Sequence, residues 1–134
     1  MEKRNRKPIR PLRLKMLAKK NGWHCYKETE KDLWPDGVKV FLLECADCWI
    51  HYIAGAPHVI QEIYDKEKNH IEESAEADGS SPLLCQYDNY NHCSCDSDNR
   101  YSVASKINNT VMYAHVKSGL EADMVKDFFN RAGY

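Results

Sequence analysis

Two pairs of cysteines are the residues of this chain whose types and spacing best suit chemistry. Cys45 and Cys48 are separated by two residues, and Cys93 and Cys95 by one. A Cys-x-x-Cys spacing brings two thiolates to one tetrahedral zinc ion at about 2.3 Å, and a second pair can complete the coordination. We therefore expect a structural Zn²⁺ site whose ligands are Cys45, Cys48, Cys93 and Cys95.

The zinc ligand set stays open, because Cys-x-Cys is a less usual chelating spacing than a second Cys-x-x-Cys would be. Five other side chains are alternates for one or two of the sulfurs: His92, His51, Cys85, Cys25 and His24. Two interpretations without zinc also stand. The six cysteines then serve either as buried reduced thiols or in disulfide and redox chemistry.

A catalytic zinc ion would need an open coordination position and a nearby acid or base. Glu44, Asp47 and His51 lie close in sequence to the first cysteine pair. The deaminase pattern fails, however, because Glu44 stands where a proline should precede Cys45, and His-Glu-x-x-His and Gly-x-Ser-x-Gly are missing as well. A zinc-dependent hydrolase or nuclease is therefore an alternative, and we assign no catalytic residues.

Positive charge is concentrated at the start of the chain. Residues 1–20 carry nine Lys or Arg and one Glu, whereas the remainder carries ten basic and nineteen acidic residues. A segment of this kind either folds onto the acidic body of its own chain or binds phosphate or another acidic surface. The contact residues that we expect are Arg4, Arg6, Lys7, Arg10, Arg13, Lys15, Lys19 and Lys20.

Length and composition limit the class of protein. The chain has 134 residues, of which 43% are hydrophobic and 29% charged, and this suits one folded domain. No stretch approaches the roughly 18 apolar residues of a membrane helix, and Arg and Lys interrupt the place of a signal peptide's apolar segment. We expect a cytoplasmic protein without a membrane partner, built as a flexible basic arm at 1–9 and a single domain at 10–134.

Three helices are predicted from apolar spacing and from their ends. A basic helix at 10–20 should stop at Asn21-Gly22, where glycine accepts the left-handed conformation. A second helix should run from Pro57 to about residue 75, followed by a mobile acidic loop at about 72–82. A third should begin at a capping box formed by Ser118 and Glu121.

The strand signals complete an α+β fold. Residues 23–28 and 38–44 predict one hairpin, 83–87 a further strand, and 101–107 with 110–116 a hairpin that turns at Asn108-Asn109. The order helix, hairpin, helix, hairpin, helix predicts an antiparallel sheet of about four to five strands with its helices on one face. The zinc ion would staple the two hairpins together.

These features favour a small zinc-stabilised, non-enzymatic interaction protein, an adaptor or inhibitor that docks on a larger nucleic-acid-handling machine. Its compact size and lack of motifs resemble those of the accessory proteins that phages encode to redirect or block host enzymes. Its partner would be a larger protein or nucleoprotein complex. A second alternative is a nonspecific nucleic-acid-binding module that uses the basic N-terminal arm.

Overall fold

The computed structural model describes residues 7–28, 34–45, 48–78, 83–84, 90–93, 101–116 and 119–134, and it gives the backbone alone for residues 70–78, 83–84, 90–93, 101–102 and 119. Three helices and seven strands follow one another in these residues. Their bounds are α1 Pro11–Lys20, β1 His24–Lys27, β2 Lys39–Glu44, β3 Trp49–Ala54, α2 Pro57–Asp78, β4 Leu83–Leu84, β5 Tyr90–Cys93, β6 Tyr101–Ile107, β7 Thr110–Val116 and α3 Gly119–Arg131.

The strands form one sheet in the order β1-β2-β3-β7-β6-β5-β4, and every neighbouring pair is antiparallel. The predicted α+β class, with three helices and an antiparallel sheet, is confirmed. The described residues contain seven strands, more than the four to five expected. The strands that the sequence left unassigned are β3, which lies between the two predicted hairpins, and β5.

The helices cover both faces of the sheet, and the expectation that they share one face is wrong. Side chains alternate along β7, so that Met112 and Ala114 point to the α1 and α3 side while Val111 and Tyr113 point to the α2 side. All four are buried. Because β7 is apolar on both sides, each face needs a helical cover, and α2 supplies the second one.

One core lies between the sheet and the pair α1 and α3. Leu14 and Ala18 of α1 and Phe128 and Phe129 of α3 are fully buried there. The ring of Trp23, which follows α1, lies 5.1 Å from the ring of Phe128. This contact ties the end of α1 to the last turn of α3, and such aromatic pairs contribute beyond the area that they bury.

A chain of hydrogen bonds ties the residues before α1 to the C-terminal residue. Thr110 Oγ1 donates to the Ile107 carbonyl at 2.8 Å, and the Tyr134 hydroxyl hydrogen-bonds to Thr110 Oγ1. The Ile9 N–H donates to the Tyr134 hydroxyl at 3.4 Å, and the Tyr52 hydroxyl donates to the Ile9 carbonyl at 2.6 Å. All of these groups are buried, so Ile9 is fixed against the end of the sheet.

The predicted end of α1 and the predicted β6–β7 turn agree with the backbone. Gly22 and Gly133 have φ values of 76° and 87° after α1 and α3, and Asn108 has a φ of 49° in the β6–β7 turn. Asparagine tolerates this left-handed conformation better than most residues. The predicted bounds of β6 and β7 match the structure residue for residue. The local signals at these turns were therefore sufficient.

Two assignments differ from the expectation. The backbone of residues 72–78, which we placed in the acidic loop, continues α2 to Asp78, while residues 79–82 lie outside the described residues. Glu and Ala are good helix formers, so composition alone did not mark the helix end. The apolar residues at helical spacing in α3 predict a buried stripe from Leu120 onward, but Leu120 is 82% exposed and the buried residues begin at Ala122.

We predict that Phe128→Ala lowers the free energy of unfolding by about 3 to 5 kcal/mol, because it removes a fully buried ring and leaves a cavity against Trp23. Leu120→Ala on the same helix should change it by less than about 0.5 kcal/mol, because that side chain is exposed. Urea unfolding of the two variants measures both values. Equal losses would contradict this arrangement of α3.

Candidate functional site

Cys45 and Cys48 meet at the turn between β2 and β3. The Cys45 N–H donates to the Cys48 carbonyl at 3.0 Å, and each side chain is only 5% exposed. Hydrogen bonding with Cys48, followed by burial, raises the pKa of the Cys45 thiol far above its usual range. The thiol is therefore neutral in this environment, and a metal ion would have to displace its proton.

The strand order separates the two halves of the expected zinc ligand set. Cys48 directly precedes β3, whereas Cys93 lies on β5, and β7 and β6 run between them. At about 4.8 Å per strand, β3 and β5 are roughly 14 Å apart. Sulfurs that share one zinc ion lie about 4 Å apart. The described backbone does not bring Cys48 and Cys93 to one ion, and the zinc site stays a prediction.

The alternate ligands lie at three different places. Cys25, on β1, is a half-buried thiol that packs against the same core as Cys45 and Cys48. His24 is exposed at the start of β1. The side chains of His92 and Cys93 and the whole of Cys85 and Cys95 lie outside what the structure describes. Within the described side chains, no group of three or more His, Cys, Asp or Glu could hold a metal ion.

The sheet lies between the groups that a zinc hydrolase would need together. The cysteines of the β2–β3 turn belong to the core under α1 and α3. His51 stacks on Tyr113, which belongs to the α2 side, and Glu44 alternates to that side from Leu43. His51 therefore lies on the opposite face of the sheet from Cys45 and Cys48, and its place among the alternate zinc ligands stays a prediction.

Sequence reasoning missed an aromatic and histidine cluster on the α2 face. His51 of β3 is paired with Tyr113 of β7, and their rings stack at 4.6 Å with an interplanar angle of 4°. Trp34 packs on His51 with ring centroids 5.6 Å apart. Next to this stack, His115 Nε2 lies 3.3 Å from a carboxylate oxygen of Glu67 on α2. The β3–β7 register brings His51 and Tyr113 together, and Trp34 and Glu67 come from the segment between β1 and β2 and from α2.

His51 is neutral at physiological pH. Burial is the main cause that lowers its pKa to about 4, and the charge of His115 adds to it, while the carboxylates of Glu67 and Glu28 offset only part. Within the described residues, His51 Nδ1 and Trp34 Nε1 are buried without a hydrogen-bond partner. A hydrogen bond with the Tyr113 backbone favours the charged form of the His51 ring, but it does not outweigh burial.

We predict a loss of stability on acidification that depends on His51. The folded pKa of about 4 lies below the ordinary value of 6.5, so the unfolded state takes up the proton first, and stability is lost as pH falls from 6.5 to 4. Because the ring is partly solvated, we expect the free energy of unfolding to fall by about 2 kcal/mol, which is less than the full pKa shift would imply.

His51→Gln should remove this part of the pH dependence, and His58→Gln, which changes an exposed histidine of α2, should leave it in place. Urea unfolding at pH 7 and pH 4.5 gives the difference in the free energy of unfolding between the two pH values for each protein. An unchanged pH dependence in His51→Gln would contradict the neutral, buried state of this ring.

The described basic residues of the N-terminal segment are all exposed. Leu14, Leu17 and Ala18 hold α1 against the core, which turns the rest of the helix to solvent. Leu12 and Met16, one turn apart, are 73% and 57% exposed at the centre of that outer side. We name this surface the basic face of α1, and it consists of Leu12, Arg13, Lys15, Met16, Lys19 and Lys20.

No described carboxylate forms an ion pair with the cations of the basic face. Lys15 extends over the ring of Phe41, with its Nζ 5.7 Å from the ring centroid, and the others project into solvent. For residues 7–20, the positive charge is thus not neutralised by the acidic body that the structure describes. Arg4 and Arg6 lie outside the described residues.

Comparison with known proteins adds no identity: the chain matches no protein-family model, no curated protein and no solved structure. In the described residues, no helix is both long enough and apolar enough to cross a membrane. The site must therefore be interpreted from its own chemistry.

Proposed function

We propose that this chain is a small, non-enzymatic interaction protein, an adaptor or inhibitor that docks through the basic face of α1 on an acidic surface of a nucleic-acid-handling protein machine in the cytoplasm. One observation carries the proposal. Leu12 and Met16 are exposed at the centre of a surface whose four cations have no described carboxylate partner.

The combination of charge and exposed apolar side chains favours a protein partner over nucleic acid. Phosphate backbones are bound by cations and hydrogen-bond donors, whereas exposed Leu and Met gain free energy only when a partner covers them. Methionine is also common at protein-binding surfaces because its flexible side chain adapts to the partner. A partner with an apolar groove and acidic rims would match Leu12 and Met16 with the flanking cations.

The sheet supports a non-enzymatic role. A zinc-dependent hydrolase or nuclease at the β2–β3 turn would need an acid or base next to the cysteines. Glu44 and His51 face α2, and Cys45 and Cys48 face α1 and α3. Neither of these two acid or base candidates therefore lies on the side of the cysteines, and the described carboxylate whose charge reaches Cys45 is Glu121 of α3.

We place a structural zinc ion in this proposal. Cys45 and Cys48 are neighbours at a turn that joins two strands, which is where a structural ion would stabilise the hairpin. The remaining ligands would come from the cysteines and histidines that the sequence singles out, such as Cys95 or Cys85. The opposite placement of His51 supports a structural ion over a catalytic one.

We expect a partner to crosslink at position 12. A photoreactive amino acid at position 12 should give a discrete protein adduct that resists nuclease treatment, and one at position 120, an equally exposed leucine site on α3, should not. Mass spectrometry identifies the adduct. An adduct that consists of nucleic acid would support the nucleic-acid-binding alternative instead, and equal adducts at both positions would contradict docking through α1.

The affinity for that partner should depend on the apolar centre. Leu12→Ser with Met16→Ser should weaken binding by about 30- to 150-fold, since each buried side chain contributes roughly 1 to 1.5 kcal/mol. Leu120→Ser serves as the matched control and should leave the affinity unchanged. Calorimetry with the purified partner measures the three values, and a change of less than twofold in the double variant would rule out this surface.

Native mass spectrometry tests the zinc ion. We expect one zinc per chain that is released only on unfolding, and we expect Cys45→Ser with Cys48→Ser to lose it. Cys25→Ser tests the alternate ligand on β1, where Cys25 is paired with Leu43, two residues before Cys45. Protein purified without zinc, or a double variant that keeps it, would contradict the site.

A further inference from the structure

A cleft of about 410 Å³ lies beside the entrance of α1. Its walls are the segment before the helix, which includes Lys7 and Arg10, and the ends of β3 and β7 at Ala54 and Thr110, together with Asn109 of the β6–β7 turn. Its volume falls in the range of pockets that hold small molecules. Neither the cysteine sites nor the basic face of α1 makes use of it.

The walls of the cleft are held in place. Ile9, which lies between the two cationic residues, donates its N–H to Tyr134 and accepts a hydrogen bond from Tyr52 at 2.6 Å. Tyr134 is bound in turn to Thr110, on the opposite wall. Because these bonds are buried, a ligand that enters the cleft would not have to order its walls, and such pre-organisation favours binding.

The charge of the cleft selects the ligand. Lys7 and Arg10 are exposed, and no described carboxylate pairs with either. The described residues that line the cleft include no acidic side chain. The α1 helix begins there without a side-chain cap and without an acid in its first turn, so its positive end adds to the same field. A group with two negative charges matches this environment better than a single carboxylate.

The body of the ligand should be apolar. Pro8, Ile9, Pro11 and Ala54 supply hydrocarbon surface to the cleft, while the amide of Asn109 and the cations supply hydrogen-bond donors. Arginine grips a phosphate group with two parallel hydrogen bonds, which lysine complements as a point charge. We propose that this cleft binds a small phosphate monoester with an apolar or aromatic body.

The test is a titration of the full chain with phenyl phosphate, followed by backbone amide NMR at pH 7.5, where the phosphate is mainly dianionic. The amides of Ile9, Arg10, Ala54, Asn109 and Thr110 should shift and reach saturation. Benzoate, which has the same ring and one negative charge, should bind at least several-fold more weakly. The absence of saturable shifts, or shifts elsewhere, would overturn the proposal.

Two double variants separate a site from general charge attraction. Lys7→Gln with Arg10→Gln should weaken phenyl phosphate binding by about tenfold or more, because each removes a charge-assisted hydrogen bond. Arg13→Gln with Lys20→Gln removes the same charge from α1 outside the cleft and should change the affinity by less than about twofold. Similar losses in the two variants would overturn the site, and so would tighter binding of a short oligonucleotide at the same amides.

This inference is independent of the proposed function. The cleft uses Lys7 and Arg10, and the partner surface uses the outer side of α1 from Leu12 to Lys20. If phenyl phosphate does not bind, crosslinking at position 12 still tests the proposed function. If crosslinking fails, the titration still tests the cleft. The same spectra report whether each variant is folded.

Discussion

The pairing of β3 with β7 is the contact on which the rest of the structure depends. It joins the strands before α2 to the strands after it, so that seven strands form one sheet. It also places His51 opposite Tyr113 and sets which residues of each strand face which layer. A shift of one residue in this register would turn Val111 and Tyr113 toward α1 and α3 and move Met112 and Ala114 under α2.

The two faces of the sheet have different chemistry because of that register. The face under α1 and α3 is apolar and includes three thiols, Cys25, Cys45 and Cys48. The face under α2 is aromatic and includes His51, Tyr113 and Tyr26, with the His115–Glu67 pair at its border. Residues that are neighbours in sequence around the β2–β3 turn are thus divided between two environments, and sequence proximity there does not indicate a shared site.

Local signals in the sequence predicted the elements that carry their own ends. A Gly or Asn marks the place where the backbone turns into the left-handed region in α1, in the β6–β7 hairpin and in α3. The spacing of the apolar residues in these elements was unambiguous as well. β3 was not predicted as a strand, because Trp-Ile-His-Tyr-Ile lacks a clean alternation and is buried on both sides of the sheet. Its partner, β7, is distant in sequence, and no local pattern encodes that pairing.

The candidate surfaces were predicted less completely, for the same reason. The basic residues were found from their number alone, but the sequence did not show which side of α1 faces solvent. The packing of Leu14, Leu17 and Ala18 against the core decides which side of α1 faces solvent. Leu12 and Met16 are therefore exposed. The bond from Ile9 to Tyr134 further fixes the start of the helix through the opposite end of the chain. Over residues 7–20, the positive charge therefore lies on an anchored segment. Binding of a partner to this segment costs less conformational entropy than binding to a free tail would.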